Sequence, residues 1–453
     1  MLELGVGSAD ITPPIGAIMD GFGARPGPAD RVLDPLSVRA LCFDNGARRF
    51  TILAFDLIGV RQRLQEVVRR ALREEAGLGA DALMLASTHT HAGPVGGVLQ
   101  DLPVDEAYCG QVARAAVAAV RAAEADRAPV ELDARSGRVS FPVNRRLRRD
   151  GQVRLEANPS APVDREVRVL RAYRMDGSLK AAIVHASCHL ITLPGSNTAI
   201  SADYPGVMYE RVAREIPGAL AVFLLGSAGD VNPTVLPGEK PEETRARCGG
   251  ELASVVAGLL NEPHAPSRPA LLEDDACAWG QVAIDVPVVC PLSLSELEAR
   301  AADFRKRAGA AANRIDRYFA SRYANWYAER SEETRLDRRR ASLPVTLQVF
   351  LPRRDILVAA LPFEVFTATS QDLLSRFGRL GLDRQNVFTV SCANEINGYL
   401  PPASALGEGG YECEEAPIWY GLPGWYAGGA ESLVRDAVIH LAERLLSGGA
   451  GRD

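Results

Sequence analysis

The residues best suited to chemistry are His89 and His91, in the segment ASTHTHAGP at positions 86–94. The segment follows the apolar run 82–85, which predicts a buried strand. Side chains alternate along an extended backbone, so two histidines two positions apart share one face at the end of this strand. Ligands bind at strand ends in α/β proteins, and imidazole is the commonest protein ligand for transition metals. A metal site is the first hypothesis, and two histidines bonded to backbone carbonyls at a loop mouth is the alternative.

A third histidine stands at the end of a second predicted strand. His189 follows the strand 181–187, and His185 lies four residues earlier on the same face. Further polar side chains come at or near the ends of other predicted strands, namely Asp56, Asp230, Glu364 and Tyr399. Taken singly, an acid at such a position commonly caps the next helix. Taken together, these groups suit a catalytic zinc, which needs about three protein ligands and one open position.

Cys188 beside His189 offers a thiol nucleophile as another possibility. Adjacent side chains in a strand point to opposite faces, which makes this pairing poor. The eight cysteines of the chain are scattered and include no Cys-x-x-Cys pair. This spacing argues against a structural zinc knuckle and favours reduced, mostly buried thiols.

Length and composition exclude several classes of protein. The chain has 453 residues, of which 47% are hydrophobic and 24% charged, as in ordinary globular proteins. Its net charge of -6 gives no reason to expect a nucleic-acid partner. No apolar run approaches the ~20 residues of a membrane-spanning helix, and the N-terminus lacks the features of a signal peptide. We therefore expect no integral membrane segment and a cytoplasmic location.

The elements that must position these groups follow the pattern of an α/β fold. Apolar runs at 50–58 and 82–88 flank an amphipathic segment at 62–77, which predicts a βαβ unit. Two later strands, 167–173 and 181–187, are joined by a turn of the hairpin type. Without an internal repeat or a clear linker, we expect one large domain, residues 1–453, with mixed β-sheets flanked by helices.

Three segments are predicted to depart from this pattern. Residues 1–45 are rich in Gly, Pro and Asp and are expected to form loops near the strand ends. Residues 408–426 are Gly-rich and aromatic and are expected to lack regular structure. Residues 293–340 are charged and helical in pattern, which predicts a helical insertion. It could cap a site or mediate formation of a homo-oligomer, although a solvated pair of surface helices is the favoured interpretation.

Six motifs occur in the order that is typical of one enzyme family. They are GVGSADIT at 5–12, AFDLIG at 54–59, STHTHAGP at 87–94, NR at 144–145, GDVNP at 229–233 and GYE at 410–412. Together they resemble the N-terminal catalytic domain of the neutral/alkaline non-lysosomal ceramidases over nearly the whole chain. STHTHAGP is the most specific of the motifs. The family's C-terminal immunoglobulin-like domain is not expected here, because the sequence ends just after the catalytic region.

The resemblance implies a zinc-dependent hydrolase of N-acyl bonds, with two histidines, one glutamate and one tyrosine as metal ligands. By position in the family's motifs these are His89, His189, Glu364 and Tyr399. The glutamate is assigned from PFEV at 362–365, which is similar to the family's Pro-Gly-Glu-Phe. The tyrosine is assigned from YLPP at 399–402, which stands where the family has a tyrosine before two threonines. No cofactor other than Zn²⁺ is implied.

The resemblance also implies groups that act on the substrate. His91 and Arg145 match positions near the substrate carbonyl, where they would stabilise a developing oxyanion. His91 would also pass a proton to the leaving amine, while Asp230 or Asp56 would orient a histidine or contact the substrate. The family carries a serine implicated in catalysis where this chain has Asn232. Asn232 is therefore expected to hydrogen-bond the substrate, since an amide cannot serve as a nucleophile and a zinc-activated water does not need the serine.

These assignments predict hydrolysis of an amide bond in a ceramide-like or smaller polar N-acyl substrate. The same ligands would serve a metal-dependent esterase or lactonase, which paired amide and ester substrates would distinguish. A non-catalytic binding protein on the same fold is the other alternative, for which Asn232 is the single positive indication.

Overall fold

The computed structural model describes residues 1–96, 102–264 and 277–448. Its strands are β1 (Glu3–Asp10), β2 (Arg31–Val32), β3 (Ser37–Asp44), β4 (Arg49–Phe55), β5 (Leu83–Ser87), β6 (Ala128–Arg138), β7 (Pro142–Arg149), β8 (Gln152–Asn158), β9 (Glu166–Arg174), β10 (Leu179–Ala186), β11 (Ala199–Ile200), β12 (Leu220–Leu225), β13 (Val231–Pro233), β14 (Ala278–Val289), β15 (Ser342–Arg353), β16 (Ile356–Ala360), β17 (Glu364–Val365), β18 (Val387–Val390), β19 (Tyr399–Leu400) and β20 (Trp425–Tyr426). Its α-helices are α1 (Gln62–Ala76), α2 (Glu106–Ala125), α3 (Tyr204–Glu215), α4 (Pro241–Asn261), α5 (Leu294–Ala310), α6 (Arg314–Arg335), α7 (Thr367–Arg379), α8 (Ala403–Glu408), α9 (Tyr411–Glu414), α10 (Ala416–Trp419) and α11 (Ala430–Leu446).

Two large sheets form the centre of the described structure. The first has eight strands in the order β12-β10-β9-β6-β1-β3-β4-β5, and the second has five in the order β18-β16-β15-β14-β20. The neighbouring pairs β4–β5, β10–β12 and β16–β18 are parallel. Parallel neighbours need a crossover connection, and α1, α3 and α7 provide one for each pair. The predicted βαβ unit at 50–88 is therefore present as β4, α1 and β5.

A layer of aromatic side chains packs the two large sheets face to face. Phe50 of β4 stacks on Phe350 of β15 with ring centroids 4.2 Å apart, and Phe43 of β3 meets the same ring at 5.0 Å. Trp279 of β14 lies 5.6 Å from Phe50. Burial of large aromatic surfaces stabilises this contact strongly. Helices α2 and α4 cover the outer face of the first sheet and α11 covers that of the second, which gives helix, sheet, sheet and helix layers.

The first sheet curls until its edge strands β5 and β12 approach each other. The segment after β18 fills the remaining gap. Asn394 donates its backbone N–H to Leu85 of β5, and Ser391 donates to Leu225 of β12. The ends of β5 and β10, which precede the two histidine motifs, therefore come to lie beside the chain that leads into β19.

Pairing between distant segments overturns three of the expectations for single elements. Residues 1–45 hold β1 and β3, which pair with each other and join the first sheet, in place of loops alone. Residues 408–426 contain the short helices α9 and α10 and the strand β20. Glu364 lies in β17 and the next helix starts only at Thr367, so the simple expectation that this acid caps the next helix does not hold. Strand formation depends on the partner strand more than on local composition, so the local pattern missed these elements.

The helical insertion predicted at 293–340 is present as α5 and α6, but one face of it is buried. This face forms a buried cluster with Ile418 of α10, to which it contributes Leu297, Trp326 and Tyr327. The favoured expectation of a solvated helix pair is therefore wrong for this face, which packs on the segment 411–425. Within the described ranges, none of the helices combines the length and the apolar character needed to cross a bilayer.

Candidate metal centre

Two histidine rings meet just beyond the end of β5. His89 has a φ of 68°, so the chain turns sharply here and the alternation expected of an extended backbone does not hold. The rings nevertheless converge, and Nε2 of His91 lies 3.3 Å from Nε2 of His89. The turn at His89, and not a continuing strand, places both rings on one side.

His189 adds a third ring after β10. Its ring centroid lies 5.2 Å from that of His89 and 5.7 Å from that of His91. The backbone N–H of His91 donates to the carbonyl of Leu190 at 3.2 Å, which fixes the two histidine motifs side by side. One nitrogen from each of the three rings lies within 4.8 Å of the others, so the group could hold a metal ion.

A two-residue pair of parallel strands brings in the carboxylate and the phenol. Glu364 of β17 lies directly opposite Tyr399 of β19. Oε2 of Glu364 is 2.9 Å from Nε2 of His189 and 3.3 Å from Nε2 of His89. The hydroxyl of Tyr399 lies 3.5 Å from Nε2 of His189. The structure therefore brings together all four ligands that the sequence predicted.

The hydrogen bonds of the rings show that the group suits a cation. Nδ1 faces a backbone carbonyl in each ring: that of Ile58 at 2.7 Å for His89, of Gly21 at 3.1 Å for His91 and of Ala228 at 2.5 Å for His189. A carbonyl only accepts, so Nδ1 carries the hydrogen and Nε2 presents a lone pair to the centre. Lone pairs and a carboxylate oxygen at such distances repel one another unless a positive charge lies among them, either a proton on an imidazole or a metal ion. Ligands at about 2.0–2.1 Å from a tetrahedral zinc would lie about 3.3 Å apart, which matches the observed spacing.

Burial and neighbouring charges set the protonation of these groups. Burial alone would lower the pKa of His89, but Cys392 and Glu364 outweigh it and raise this pKa well above its ordinary value. Burial lowers the pKa of His189, and it lowers the pKa of His91 well below the ordinary value, so both rings are neutral and able to bind a metal. Burial alone would raise the pKa of Glu364, but the imidazoles of His89 and His189 outweigh it and hold this pKa well below its usual range. Burial raises the pKa of Tyr399 well above its ordinary value, which keeps its proton on the phenol.

Arg145 of β7 lies at the side of the centre. Its guanidinium carbon is 5.1 Å from the centre of the Tyr399 ring. Nε donates to Glu412 at 2.9 Å, and Nη1 donates to the side-chain oxygen of Asn232 at 3.4 Å. Nη2 is buried, and the guanidinium also lies within hydrogen-bond reach of the Tyr399 hydroxyl. A buried guanidinium beside the ligand set is the arrangement required to stabilise an oxyanion.

Asp230 holds two elements of the site together, and among the described residues its carboxylate bonds Thr367 and Asn144. One carboxylate oxygen accepts from the N–H and the hydroxyl of Thr367, at 2.8 and 2.9 Å, and the other accepts from Asn144 at 3.0 Å. The carbonyl of Asp230 accepts the N–H of Arg145 at 2.9 Å. Asp230 thereby joins β7, which carries Arg145, to the start of α7, three residues after Glu364.

Three other sequence candidates lie outside the centre. Asp56 is buried and pairs with Arg39 at 2.8 Å. His185 is buried, and its Nε2 faces the backbone carbonyl of Thr389 at 3.0 Å. Burial raises the pKa of the Cys188 thiol well above its ordinary value, so this residue is not an activated nucleophile.

The loop 20–25 covers His91, a contact that sequence reasoning missed. Gly21 has a φ of 91°, and a Cβ atom there would lie 2.8 Å from the His91 ring. Arg25 donates to the backbone carbonyl of His91 at 2.6 Å, and the ring of Phe22 lies 5.0 Å from the imidazole. The Gly-rich composition predicted a loop near the strand ends, but not which residue it would touch.

Two further contacts were also missed. Tyr420 donates a hydrogen bond from its hydroxyl to Oε1 of Glu364. Glu412 accepts from Arg145 and is itself buried. The motif GYE at 410–412 was a signal for Glu412, whereas the signal for Tyr420 was only that the Gly-rich, aromatic segment 408–426 could close over the site.

Comparison with known proteins decides the family. The sequence model described as neutral/alkaline non-lysosomal ceramidase, N-terminal, matches residues 2–269. The chain belongs to this family. The neutral ceramidase from Pseudomonas aeruginosa has a similar structure, with a TM-score of 0.71 and 17% identity over 100% of this chain and 75% of that one. A ceramidase complexed with C2 is similar as well, with a TM-score of 0.72 and 17% identity over 100% and 76% of the two chains.

Membership of the ceramidase family confirms the resemblance, and the structural matches confirm the mixed α/β fold. Membership of this family also places the chain among hydrolases that act on amide bonds. The matched range contains His89, His91, Arg145, His189, Asp230 and Asn232. Glu364 and Tyr399 lie beyond it, so their place in this ceramidase-like centre rests on the geometry above.

Proposed function

We propose that this chain is a zinc-dependent amidohydrolase that cleaves a linear N-acyl bond, as in ceramide or a smaller polar N-acyl compound. The convergence of His89, His189, Glu364 and Tyr399 carries this proposal. Their neighbouring donor atoms lie 2.9 to 3.5 Å apart, and mixed nitrogen and oxygen ligands of this kind suit zinc.

In the proposed reaction the protein supplies orientation, a hydrogen-bond donor and a proton carrier. A zinc ion held by these ligands would polarise the amide carbonyl and lower the pKa of an attacking water toward about 7. Nη2 of Arg145 donates to the carbonyl oxygen as it gains negative charge. His91 accepts at Nε2 the proton that the attacking water loses and delivers it to the nitrogen of the leaving amine. The backbone carbonyl of Gly21 accepts a hydrogen bond from Nδ1 and holds the ring in place.

Asn232 and Asp230 act through Arg145 in this proposal. Asn232 bonds Nη1 of Arg145 and leaves Nη2 for the substrate. Asp230 bonds the backbone of Arg145 and the start of α7. The absence of a serine at position 232 is compatible with this route, because the attacking oxygen comes from water.

A polar cavity supports the smaller, polar class of substrate. A space of about 570 Å³ is lined by Tyr411, Glu408, Glu414, Glu415 and Arg154, among others. The Tyr411 ring lies 5.9 Å from that of Tyr399, so one residue of the cavity wall also contacts a proposed metal ligand. Charged walls favour hydroxylated or charged groups over two long hydrocarbon chains.

Metal analysis and a substrate panel test the proposal. We expect about one zinc per chain, and we expect His89→Ala to lose both the metal and hydrolysis of N-acyl substrates. His185→Gln, a change at a buried histidine outside the centre, is the matched control and should keep both. Full zinc occupancy in His89→Ala would remove His89 from the ligand set.

Two further measurements separate the alternatives. A higher rate on an ester than on the amide with the same acyl group would favour an esterase. Bound zinc without turnover across the panel would favour a binding protein. The variant His91→Ala tests the role of His91. Retention of zinc with loss of turnover would support a proton carrier. Loss of zinc would make His91 a metal ligand, which the 3.3 Å distance between Nε2 of His91 and Nε2 of His89 also allows.

A further inference from the structure

The carboxylate of Glu364 has a different partner on each oxygen. Oε2 faces His189 and His89 at 2.9 and 3.3 Å. Oε1 accepts the hydrogen bond of the Tyr420 hydroxyl. Both Tyr420 and Glu364 are buried, so no water competes for this contact. The Tyr420 hydrogen bond therefore fixes which oxygen of the carboxylate faces the histidines.

The segment 418–422, which carries Tyr420, is held by side chains from outside it. Alternate carbonyls of this segment each accept from a buried side chain: Ile418 from Arg322, Tyr420 from Arg61, and Leu422 from Trp326 and Arg330. Three of these four donors belong to α6 of the helical insertion. The position of the Tyr420 hydroxyl thus depends on the insertion as well as on its own backbone.

We infer that Tyr420 is a positioning residue for the metal ligand Glu364, and that the insertion α5–α6 holds it in place. This inference rests on the proposed metal centre. A hydrogen bond to Oε1 keeps that oxygen from acting as a second ligand and leaves Oε2 alone to bind the ion. Partners of metal ligands commonly change metal affinity 10–100-fold when they are removed.

Tyr420→Phe tests this directly, because it removes only the hydroxyl. We expect the dissociation constant for Zn²⁺, measured by competition with a chelating dye, to rise about 10–100-fold. Tyr209→Phe is the matched control, since Tyr209 also presents a buried hydroxyl to a carboxylate, that of Asp56, outside the centre. Its affinity for Zn²⁺ should equal that of the unmodified chain. An unchanged affinity in Tyr420→Phe would overturn the inference.

A second pair of variants tests the route of the effect. In a Glu364→Ala background, which removes both carboxylate oxygens, Tyr420→Phe should cause no further loss of Zn²⁺ affinity, and a further tenfold loss would show that Tyr420 acts elsewhere. Arg330→Met, at the far side of the segment, should also weaken Zn²⁺ binding, while Arg335→Met on the exposed end of α6 should not. Equal affinities in these two variants would overturn the role of the insertion, even if Tyr420→Phe did not fold.

The proposed function and this inference fail in different ways. An unmodified chain that binds no Zn²⁺ would overturn both. An unmodified chain that binds Zn²⁺ and hydrolyses N-acyl substrates, together with Tyr420→Phe that binds Zn²⁺ equally tightly, would overturn the inference alone.

Discussion

At the scale of single residues, the backbone carbonyls that bond Nδ1 of each imidazole determine which ring nitrogen is available to a metal. Each Nδ1 faces a backbone carbonyl, so His89, His91 and His189 all turn Nε2 toward the same point. A histidine pair that served only to satisfy carbonyls would not need its remaining lone pairs to converge. The alternative interpretation of the 86–94 motif, two histidines bonded to backbone carbonyls, is therefore correct for Nδ1. It is compatible with a metal site, because these bonds leave each Nε2 available as a ligand.

Arg145→Gln should lower kcat about 10²–10³-fold, because it removes the donor proposed to face the developing oxyanion. Steady-state kinetics on the best N-acyl substrate would measure this. Arg146→Gln is the control, since Arg146 bonds the same Glu412 but lies against Phe366. Equal losses in the two variants would mean that Arg145 acts only by holding Glu412.

His185 should make the protein less stable in mild acid. Burial and the neighbouring Arg168 lower the pKa of His185 from 6.5 to about 4 in the folded chain. The unfolded chain therefore takes up a proton first as pH falls, and about 3 kcal/mol of unfolding free energy is lost between pH 6.5 and 4. His185→Gln keeps a donor for Thr389 and does not titrate.

Urea unfolding of the metal-free protein at both pH values measures this effect. We expect the variant to lose less unfolding free energy across the interval than the unmodified chain. Equal losses would show that His185 is not the group responsible.

At the scale of elements, very short strands do much of the positioning. The β17–β19 pair has two residues on each side, yet it sets Glu364 opposite Tyr399. A close approach supports it, because a Cβ on Gly229 would lie 2.8 Å from the carbonyl of Glu364. The glycine of the GDVNP motif therefore allows the backbones of Gly229 and Glu364 to approach closely, in addition to what the side chains of the motif contribute.

The buried face of α6 should carry much of the stability of the insertion. Trp326 is fully buried and its indole N–H donates to Leu422 at 2.8 Å. Trp326→Ala should lower the unfolding free energy by about 3–5 kcal/mol, since it leaves a large cavity and removes one of the two donors to the Leu422 carbonyl. Arg335→Ala, on an exposed position of the same helix, should change it by less than about 0.5 kcal/mol. Denaturant titration would check both values, and similar effects would contradict the packing described here.

At the scale of the whole molecule, one ion would join four distant parts of the chain. The ligands come from the ends of β5 and β10 and from the β17–β19 pair, which are otherwise held by sheet pairing and by the segment after β18. Binding to the folded state alone raises stability with the free-ion concentration.

Zinc should therefore raise the unfolding free energy by about 2.7 kcal/mol at a concentration 100 times its dissociation constant. Thermal unfolding with added zinc and with a chelator would measure the shift. His89→Ala should show no zinc-dependent shift, and an equal shift in that variant would place the ion elsewhere.

The sequence by itself determined the class of fold, the metal hypothesis and the four residues proposed as ligands. Strand and helix patterns report local periodicity, and the motif STHTHAGP is specific enough to point to a family. The periodicity argument reached the right conclusion for His89 and His91 by a wrong route, because the positive φ of His89 replaces strand alternation.

Only the tertiary structure decided how these groups are held. The role of Asp230 between two elements, the strands within residues 1–45, and the Tyr420 contact all depend on partners more than 25 residues away in the chain. No local pattern encodes such a partner, because burial and hydrogen bonding between distant segments are settled only when the sheets pack. The metal centre is assembled by that packing, from residues that sequence can name but cannot place.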